Sequence, residues 1–446
     1  MLTFIYNHSP IFFQNIMVSI QGKIFIKQRY TKYYYKELET LRNCTDKDKL
    51  QQERLNEFYN FIKNNSCYYK DKLQEYSSNI DIENIEEFPL LTKENIRENL
   101  DELVTKKNDL IKLGTGGTTG KSMYFYTDAY DMSRKIASLD YYKEKHNIYK
   151  GMRRVSVGGK KIIPKKQKKN VFWRYNKPLN QLLISAYHAN GENLKYYVEK
   201  INDFKPETID GYATVLHRIS KYIVNNNIKL SFKPVAIFPT SETLTDEMKE
   251  DIKRAFNCPV RNQYGSQEGA PFIAENEKGN LEIDVTSGVF ELKHIQDEIY
   301  ELIVTGFYTT TTPLFRYMIG DSVELYEKLP KNYTQKDIKI KRIIGRNGDF
   351  LKSKDKGIVT HVNLASAIRI AGGNQIIESQ FVQSKLDRVN IFLVLSKDAK
   401  EKKIIDTLTK ELEVRMGKNT QFKFRIVDEI PQTKGGKKRF TINNIK

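Results

Sequence analysis

Three things are scarce or missing in this 446-residue chain. It has three cysteines, Cys44, Cys67 and Cys258, and no C-x-x-C spacing. That excludes a disulfide framework and points to a reducing compartment. No apolar run reaches the roughly 20 residues that a membrane-crossing helix needs. Residues 1–17 are mildly apolar but are broken by Asn7, His8, Ser9, Pro10, Gln14 and Asn15, and they lack the basic start of a secretory leader. A cytoplasmic protein with no transmembrane segment is therefore expected. No internal repeat is present, which excludes a solenoid or propeller.

What is there suits a globular protein of two or three domains. Hydrophobic residues make up 39% and aromatics 11%, enough for a sizeable core. The net charge is +19. Such a balance fits nucleic acid, an anionic membrane surface or an anionic ligand. It also fits the background of a Lys-, Asn- and Ile-rich proteome, which is the reading taken here because cations occur along the whole length and not in one tail. One local run stands apart: residues 159–170 hold Lys160, Lys161, Lys165, Lys166, Lys168 and Lys169. It reads as a solvated loop, or else as a contact for an anionic substrate or headgroup.

The most telling segment is Gly114-Thr115-Gly116-Gly117-Thr118-Thr119-Gly120-Lys121-Ser122. Glycines let backbone N–H groups approach an anion, threonine hydroxyls add donors and lysine adds positive charge, so the segment reads as a phosphate cradle. It is not a Walker loop, because the first glycine of G-x-x-x-x-G-K-[ST] would fall on Thr115. The residues after it, Met123-Tyr124-Phe125-Tyr126-Thr127, read as a strand and not as the helix a Walker lysine opens. The loop is therefore predicted to join two strands, with a helix following over 129–145 behind an Asp128 cap.

Residues 1–100 read as mostly helical and polar, with helices over 29–41 and 46–63 and a capping box opening at Thr92. From 110 to 345 apolar strands alternate with helices, the pattern of an α/β domain. Strands over 208–210 and 235–238 flank a helix over 213–224, and Thr245 caps a helix running to 256. Residues 350–446 hold about three strands, over 375–383, 389–395 and 421–427, and two helices, enough for a small α+β domain.

Four further segments follow the Gly/Thr loop in fixed order: Tyr264-Gly265-Ser266-Gln267-Glu268-Gly269, the stretch from Thr312 through Arg316 to Asp321, Gly345-Arg346-Asn347-Gly348-Asp349, and the closing Pro431-Gln432-Thr433-Lys434-Gly435-Gly436-Lys437. Together they resemble the adenylate-forming acyl-CoA synthetase superfamily. The closer likeness is to its phenylacetate–CoA ligase-like branch and, within that, to the adenylate-forming enzymes of capsular polysaccharide loci. Phe13-Gln14-Asn15, Ser19 to Gly22 and Arg29-Tyr30 resemble the start of that subgroup, and Pro89-Leu90-Leu91-Thr92-Lys93 its P-x-x-T-K segment. Gly211-Tyr212 and Ser241-Glu242-Thr243-Leu244 stand where the branch has G-Y-P-S and G-E-x-L.

The resemblance implies an α/β fold: a large N-terminal adenylate-forming domain of mixed sheets and packed helices, and a small mobile α+β C-terminal domain. Residues 1–100 would be the helical part of the large domain, 101–348 its ATP- and acyl-binding core, and 349–446 the lid. It implies that Thr115, Gly116, Gly117, Thr118, Thr119, Gly120 and Lys121 wrap the β- and γ-phosphates of ATP. Ser241 and Glu242 would lie beside the adenine, with Tyr264 stacked near it on the turn that begins at Gly265. Glu268 would hold Mg²⁺, Asp321 would accept the ribose hydroxyls and Arg346 would support the ribose side. Asp349 would be the hinge, and Lys437 would enter the site for adenylation. The product would be an acyl-AMP, whose acyl group passes to CoA, a carrier-protein thiol or a sugar-linked acceptor in cell-surface polysaccharide synthesis.

The residue chemistry agrees. An ionised carboxylate attacking an α-phosphate needs no base, only positioning and charge stabilisation, which a lysine and Mg²⁺ supply. Several positions depart from the branch: Ser122 stands for proline, Ser241 for glycine and Ala213-Thr214 for Pro-Ser, and residues 269–284 lack the Cys and His of relatives that bind zinc. No zinc is expected. The acid activated, a small-molecule carboxylate or amino acid, is not readable. Two other readings stand beside this one: an AMP transferase using the same site, and a basic nucleic-acid-binding protein. No nucleic-acid-binding module motif is present, so no nucleic acid partner is expected.

Overall fold

The computed structural model describes residues 2–77, 79–115, 123–164, 167, 169–346, 350–433 and 438–445. The chain opens with helices α1 (Leu2–His8), α2 (Ile11–Arg29), α3 (Lys32–Asn43) and α4 (Lys47–Asn65). The start of α4 is set by Asp46, whose carboxylate accepts from Lys49 N at 3.0 Å. Three short helices follow: α5 (Cys67–Lys72), α6 (Lys93–Glu98) and α7 (Leu100–Leu103). The capping box at α6 forms with Asn95 as reciprocal partner: Thr92 Oγ1 accepts from Asn95 N at 3.1 Å and Asn95 Oδ1 accepts from Thr92 N at 2.9 Å.

Strands β1 (Ile111–Thr115) and β2 (Met123–Thr127) pair antiparallel, with Thr115 opposite Met123. The Gly/Thr loop thus joins two strands, while Gly116 to Ser122 themselves lie outside the described residues. Helix α8 (Ala129–Glu144) follows, with Asp128 accepting from Asp131 N at 2.9 Å.

The next unit alternates as its sequence predicts: β3 (Arg154–Gly158), β4 (Trp173–Asn176), β5 (Gln181–Ser185), α9 (Leu194–Phe204), β6 (Thr208–Tyr212), α10 (Ala213–Asn225), β7 (Ala236–Thr240) and α11 (Asp246–Phe256). The sheet order is β4-β5-β3-β6-β7, parallel except for β4. Val155, Val157, Ile209 and Ile237 are buried against Tyr197, Leu216, Ile219 and Ile252. Gly211 lets β6 lie close to β3, since a Cβ there would stand 2.5 Å from Val157 Cβ. On the far side β4 meets α2, which turns polar residues toward it. Asn15 Oδ1 accepts from Tyr175 N at 3.0 Å, Ser19 Oγ accepts from Lys177 N at 3.1 Å, and Gln14 Oε1 accepts from Arg174 Nε at 2.6 Å.

The α/β alternation expected up to residue 345 stops at Phe256. From there the chain forms strands β8 (Gln263–Tyr264), β9 (Ile273–Glu275), β10 (Leu281–Ile283), β11 (Gly288–Gln296), β12 (Ile299–Gly306), β13 (Tyr317–Leu325) and β14 (Ile340–Arg346). They make one antiparallel sheet of order β11-β12-β13-β14-β10-β9-β8. Antiparallel neighbours need no crossover helix, and the connections here hold a single turn of 3-10 helix, Gln335–Asp337, among the described residues. Helix α4 covers this sheet: Leu55, Phe58, Tyr59 and Ile62 share a core with Phe290, Leu302, Val304 and Phe315.

The C-terminal part has its own core. Strands β15 (Leu351–Ser353) and β16 (Gly357–Val359) form a hairpin ahead of α12 (His361–Ala371). Then come β17 (Ile376–Lys385), β18 (Arg388–Leu395), α13 (Glu401–Met416), β19 (Gln421–Ile426) and β20 (Thr441–Asn443), in the order β19-β18-β17-β20. Leu364, Phe381, Ile391, Leu408 and Leu412 fill the space between helices and sheet. This unit touches the large one through Ile358 N, which donates to Gln296 Oε1 at 2.8 Å, and through Gln432 Nε2, which reaches Tyr187 O at 3.5 Å.

Candidate active site

The carboxyl ends of β6 and β7 lie side by side, with Tyr212 opposite Thr240. Such ends open the crevice in which α/β sheets bind ligands. Ser241 leaves β7 at φ 65°, in the left-handed region that favours glycine. Glu242 turns back to the start of α10, where its Oε2 accepts from Thr214 N at 2.9 Å and Thr214 Oγ1 at 2.8 Å. A carboxylate at a helix N-terminus satisfies an otherwise orphaned donor and meets the positive end of the dipole. Thr243 Oγ1 donates to Ile344 O at 3.3 Å, tying this turn to the strand that ends in Arg346.

Asp321 is buried, and Tyr264 Oη donates to its Oδ2 at 2.7 Å. Asp321 is also the cross-strand partner of Arg346. Asp321 thus has a residue 57 positions earlier at its carboxylate and one 25 positions later opposite its backbone. The turn after Tyr264 is held tightly. Ser266 Oγ accepts from Gly269 N at 3.1 Å and Ala270 N at 2.9 Å. Gly269, at φ 107°, has no room for a side chain, since a Cβ would stand 2.4 Å from Thr309 Cγ2. That turn carries Glu268, which is 5% exposed.

Two residues that the sequence did not single out complete the surroundings of Glu268. Lys135, on α8, donates from Nζ to Ser266 O at 2.6 Å. Burial pushes its pKa down to about 8, against the opposing pull of the Glu268 and Asp131 carboxylates. Asp131, one helical turn earlier, accepts from Thr310 Oγ1 and Thr311 N, both at 2.8 Å. Burial and the neighbouring Asp128 push its carboxyl pKa up, against those same hydrogen bonds. Thr312 Oγ1 accepts from Tyr126 N and donates to Tyr126 O, both at 2.9 Å. Strand β2 and helix α8, which follow the Gly/Thr loop, are thereby fixed to the segment that leads into Asp321.

Arg316, inside that segment, faces away from this chemistry. Its Nε donates to both Glu291 carboxylate oxygens at 2.9 and 3.0 Å, and its Nη1 donates to Glu86 O at 2.6 Å and to Phe88 O. Of the other sequence-derived residues, Thr115 ends β1 and Arg346 ends β14. Gly116, Gly117, Thr118, Thr119, Gly120, Lys121, Asp349 and Lys437 lie outside the described residues. The chain next to Lys437 is anchored: Lys438 Nζ donates to both carboxylate oxygens of Glu378 at 2.7 and 2.6 Å.

Residues 351–444 match the family described as the CapK C-terminal domain. Over 450 residues, covering all of both chains, the sequence is 65% identical to Protein CapK of Staphylococcus aureus. The chain belongs to the CapK family. Among solved structures, 2-hydroxyisobutyryl-CoA ligase in the postadenylation state matches with TM-scores of 0.65 and 0.66 in its complexes with R3-HIB-AMP and 2-HIB-AMP. Identity is 15%, and 90% of this chain and 89% of that one are covered. The anthranilate CoA ligase AuaEII, in complex with anthranoyl-AMP, matches at 0.53 with 15% identity over 75% of this chain and 66% of that one. This family member therefore has the fold of the adenylate-forming CoA ligases. The same 2-hydroxyisobutyryl-CoA ligase scores 0.53 in its thioesterification state, at equal coverage of this chain.

Proposed function

We propose that this protein is an ATP- and Mg²⁺-dependent ligase. It activates a carboxylic acid as acyl-AMP and passes the acyl group to a second nucleophile. The observation that carries this is the buried Asp321 carboxylate held by the Tyr264 hydroxyl, on a strand paired with the end of β14, with Glu268 buried four residues after Tyr264. A nucleoside needs a carboxylate that can accept from both ribose hydroxyls, and Asp321, oriented by the Tyr264 hydroxyl, fills that role. Ser241 and Glu242 form the adenine side, and the Gly/Thr loop with Lys121 takes the terminal phosphates.

Glu268 fits Mg²⁺. It is a buried carboxylate on a turn locked by Ser266, and Mg²⁺ in nucleotide sites takes one or two carboxylates plus phosphate oxygens. When bound, Mg²⁺ neutralises charge on those oxygens. The protein's own share is positioning: Lys135 holds the Ser266 carbonyl, and so the turn, while its ammonium balances Glu268. Lys437 would enter with the C-terminal domain to stabilise the transition state and leave with it for the transfer step, about a hinge at Asp349. CoA, a carrier thiol or a sugar-linked hydroxyl or amine are the acceptors this chemistry allows. The likeness to Protein CapK, with the sequence resemblance to capsule-associated adenylate-forming enzymes, supports a role in cell-surface polysaccharide synthesis.

The test is acid-dependent exchange of pyrophosphate into ATP, run over a panel of carboxylic and amino acids. At least one acid should support exchange. Glu268→Gln, which keeps shape and loses charge, should lower it about 10²–10³-fold. Exchange at the wild-type rate in that variant, with Mg²⁺ at ordinary concentration, removes the assignment of Glu268.

A further inference from the structure

The net charge of this protein is concentrated in two stretches. Residues 1–36 contain five cations and no Asp or Glu, and residues 145–191 contain twelve cations and no Asp or Glu. Seventeen of the net +19 therefore sit on 83 residues, and the other 363 carry only +2. The reading of the charge as a bias spread along the whole chain does not hold.

The two acid-free stretches pack against each other. Tyr6 Oη donates to Ile162 O at 2.7 Å, Lys160 Nζ stands 4.5 Å from the centre of the Phe25 ring, and α2 makes the hydrogen bonds to Arg174, Tyr175 and Lys177 described above. They form one basic surface, on which Lys23, Lys27, Lys160, Lys161, Lys169 and Lys177 are exposed.

Helix α2 is apolar on both sides. Gln14, Asn15, Ser19 and Gly22 face the protein together with the half-buried Ile11, Val18, Phe25 and Ile26, and Gln14 and Gly22 are buried. Its solvent side is apolar: Phe12 is 69% exposed, Phe13 55% and Ile20 55%, with Ile16 and Ile24 also exposed. At about 100° per residue these five, together with Lys23 and Lys27, fall within roughly 120° of the helix circumference. Phe4 and Ile5 of α1 extend the exposed apolar surface. An exposed apolar stripe that runs into lysines toward its C-terminal end, on a helix without Asp or Glu, suits a helix that lies in a membrane interface.

We propose that α1 and α2 dock this protein on an anionic lipid bilayer. The Phe and Ile side chains enter the headgroup–acyl boundary, and Lys23, Lys27, Lys160, Lys161 and Lys177 meet lipid phosphates. Charge decides the occupant. A second copy of this chain seated on the same face would set one lysine-rich surface against another, whereas an anionic bilayer supplies negative charge.

The test is flotation of the full-length protein with phosphatidylcholine vesicles, with and without phosphatidylglycerol, at low and high salt. The protein should float with the anionic vesicles and be released by salt. Each of Lys23→Gln, Lys27→Gln and Lys160→Gln should weaken partitioning about fivefold. The triple variant F12S/I16S/I20S should weaken it about 100-fold or more, with circular dichroism and melting unchanged because all three side chains already face solvent. Equal flotation with neutral and anionic vesicles, or full binding by the triple variant, overturns the proposal. So does a dimer in sedimentation velocity that the triple variant dissolves, which would assign the face to a second copy.

Discussion

Replacing Arg316 with methionine tests whether this residue is a strut and not part of the chemistry. The Arg316 and Glu291 side chains are 7% and 6% exposed and form a forked pair, and the remaining guanidinium nitrogen holds Glu86 O and Phe88 O. Losing the two contacts to carbonyls costs about 1 kcal/mol each at any pH. The buried carboxylate left behind costs more: removing one partner of a buried pair destabilises by about 3–5 kcal/mol. That second loss depends on pH. Burial already raises the Glu291 pKa, with Arg316 pulling it down, so without Arg316 it rises further. A carboxyl whose folded pKa lies above its unfolded value contributes its full stability below the unfolded pKa, and loses it as pH rises toward the folded one. The deficit of Arg316→Met against wild type should therefore be smallest near pH 5 and grow toward pH 8, by at most about 1.4 kcal/mol per pH unit. Urea unfolding followed by circular dichroism measures it. Adding Glu291→Met should recover half of the loss or more, because a buried pair replaced by apolar side chains is often neutral. A deficit that does not change with pH, or a double variant no better than the single one, would refute the reasoning.

Asp321→Ala should raise the apparent KM for ATP about 10–100-fold, since charge-assisted hydrogen bonds are worth about 1.5–3 kcal/mol each; unchanged ATP affinity by calorimetry would make Asp321 a structural residue held by Tyr264. Lys437→Ala should slow acyl-AMP formation about 10²–10³-fold while transfer from supplied acyl-AMP survives; equal loss of both steps would count against alternation of the C-terminal domain. At Ser241, held at φ 65°, glycine should be at least as stable as serine and valine about 1 kcal/mol less stable; a melting temperature that valine leaves unchanged would show that the turn relaxes.

What could be read from the sequence was what short range decides. The caps at Thr92, Asp128 and Thr245 all form, because each joins a side chain to a backbone N–H three residues on. The Gly/Thr loop joins strands as expected, because the aromatic alternation after it is local. Helix α2 escaped because its apolar residues lie on both its outward and its inward sides, so no single apolar face marks it in the sequence. The change from alternating α/β to an antiparallel sheet after Phe256 escaped for another reason. Strands β8, β9 and β10 are two or three residues long, too short for a period to show. In the candidate site, Tyr264, Glu268 and Asp321 were singled out by the order of motifs. Lys135 and Asp131 carry no motif. They join the site through contacts to Ser266 and Thr310, 131 and 179 residues away, which only the folded chain brings together.

The polar residues on the inner side of α2 have one more consequence. Strand β4 is the last in its sheet, and its outer rim would present bare backbone groups to any extended chain in solution. Asn15 takes the Tyr175 N–H and Ser19 takes the Lys177 N–H, so side chains of a helix stand where another strand's carbonyls would. The first helices thus act as a guard against strand addition. Cutting them away would leave a β-branched and aromatic sheet open at its rim, and the truncated protein would gather into aggregates by edge pairing even while the rest of its fold stayed sound.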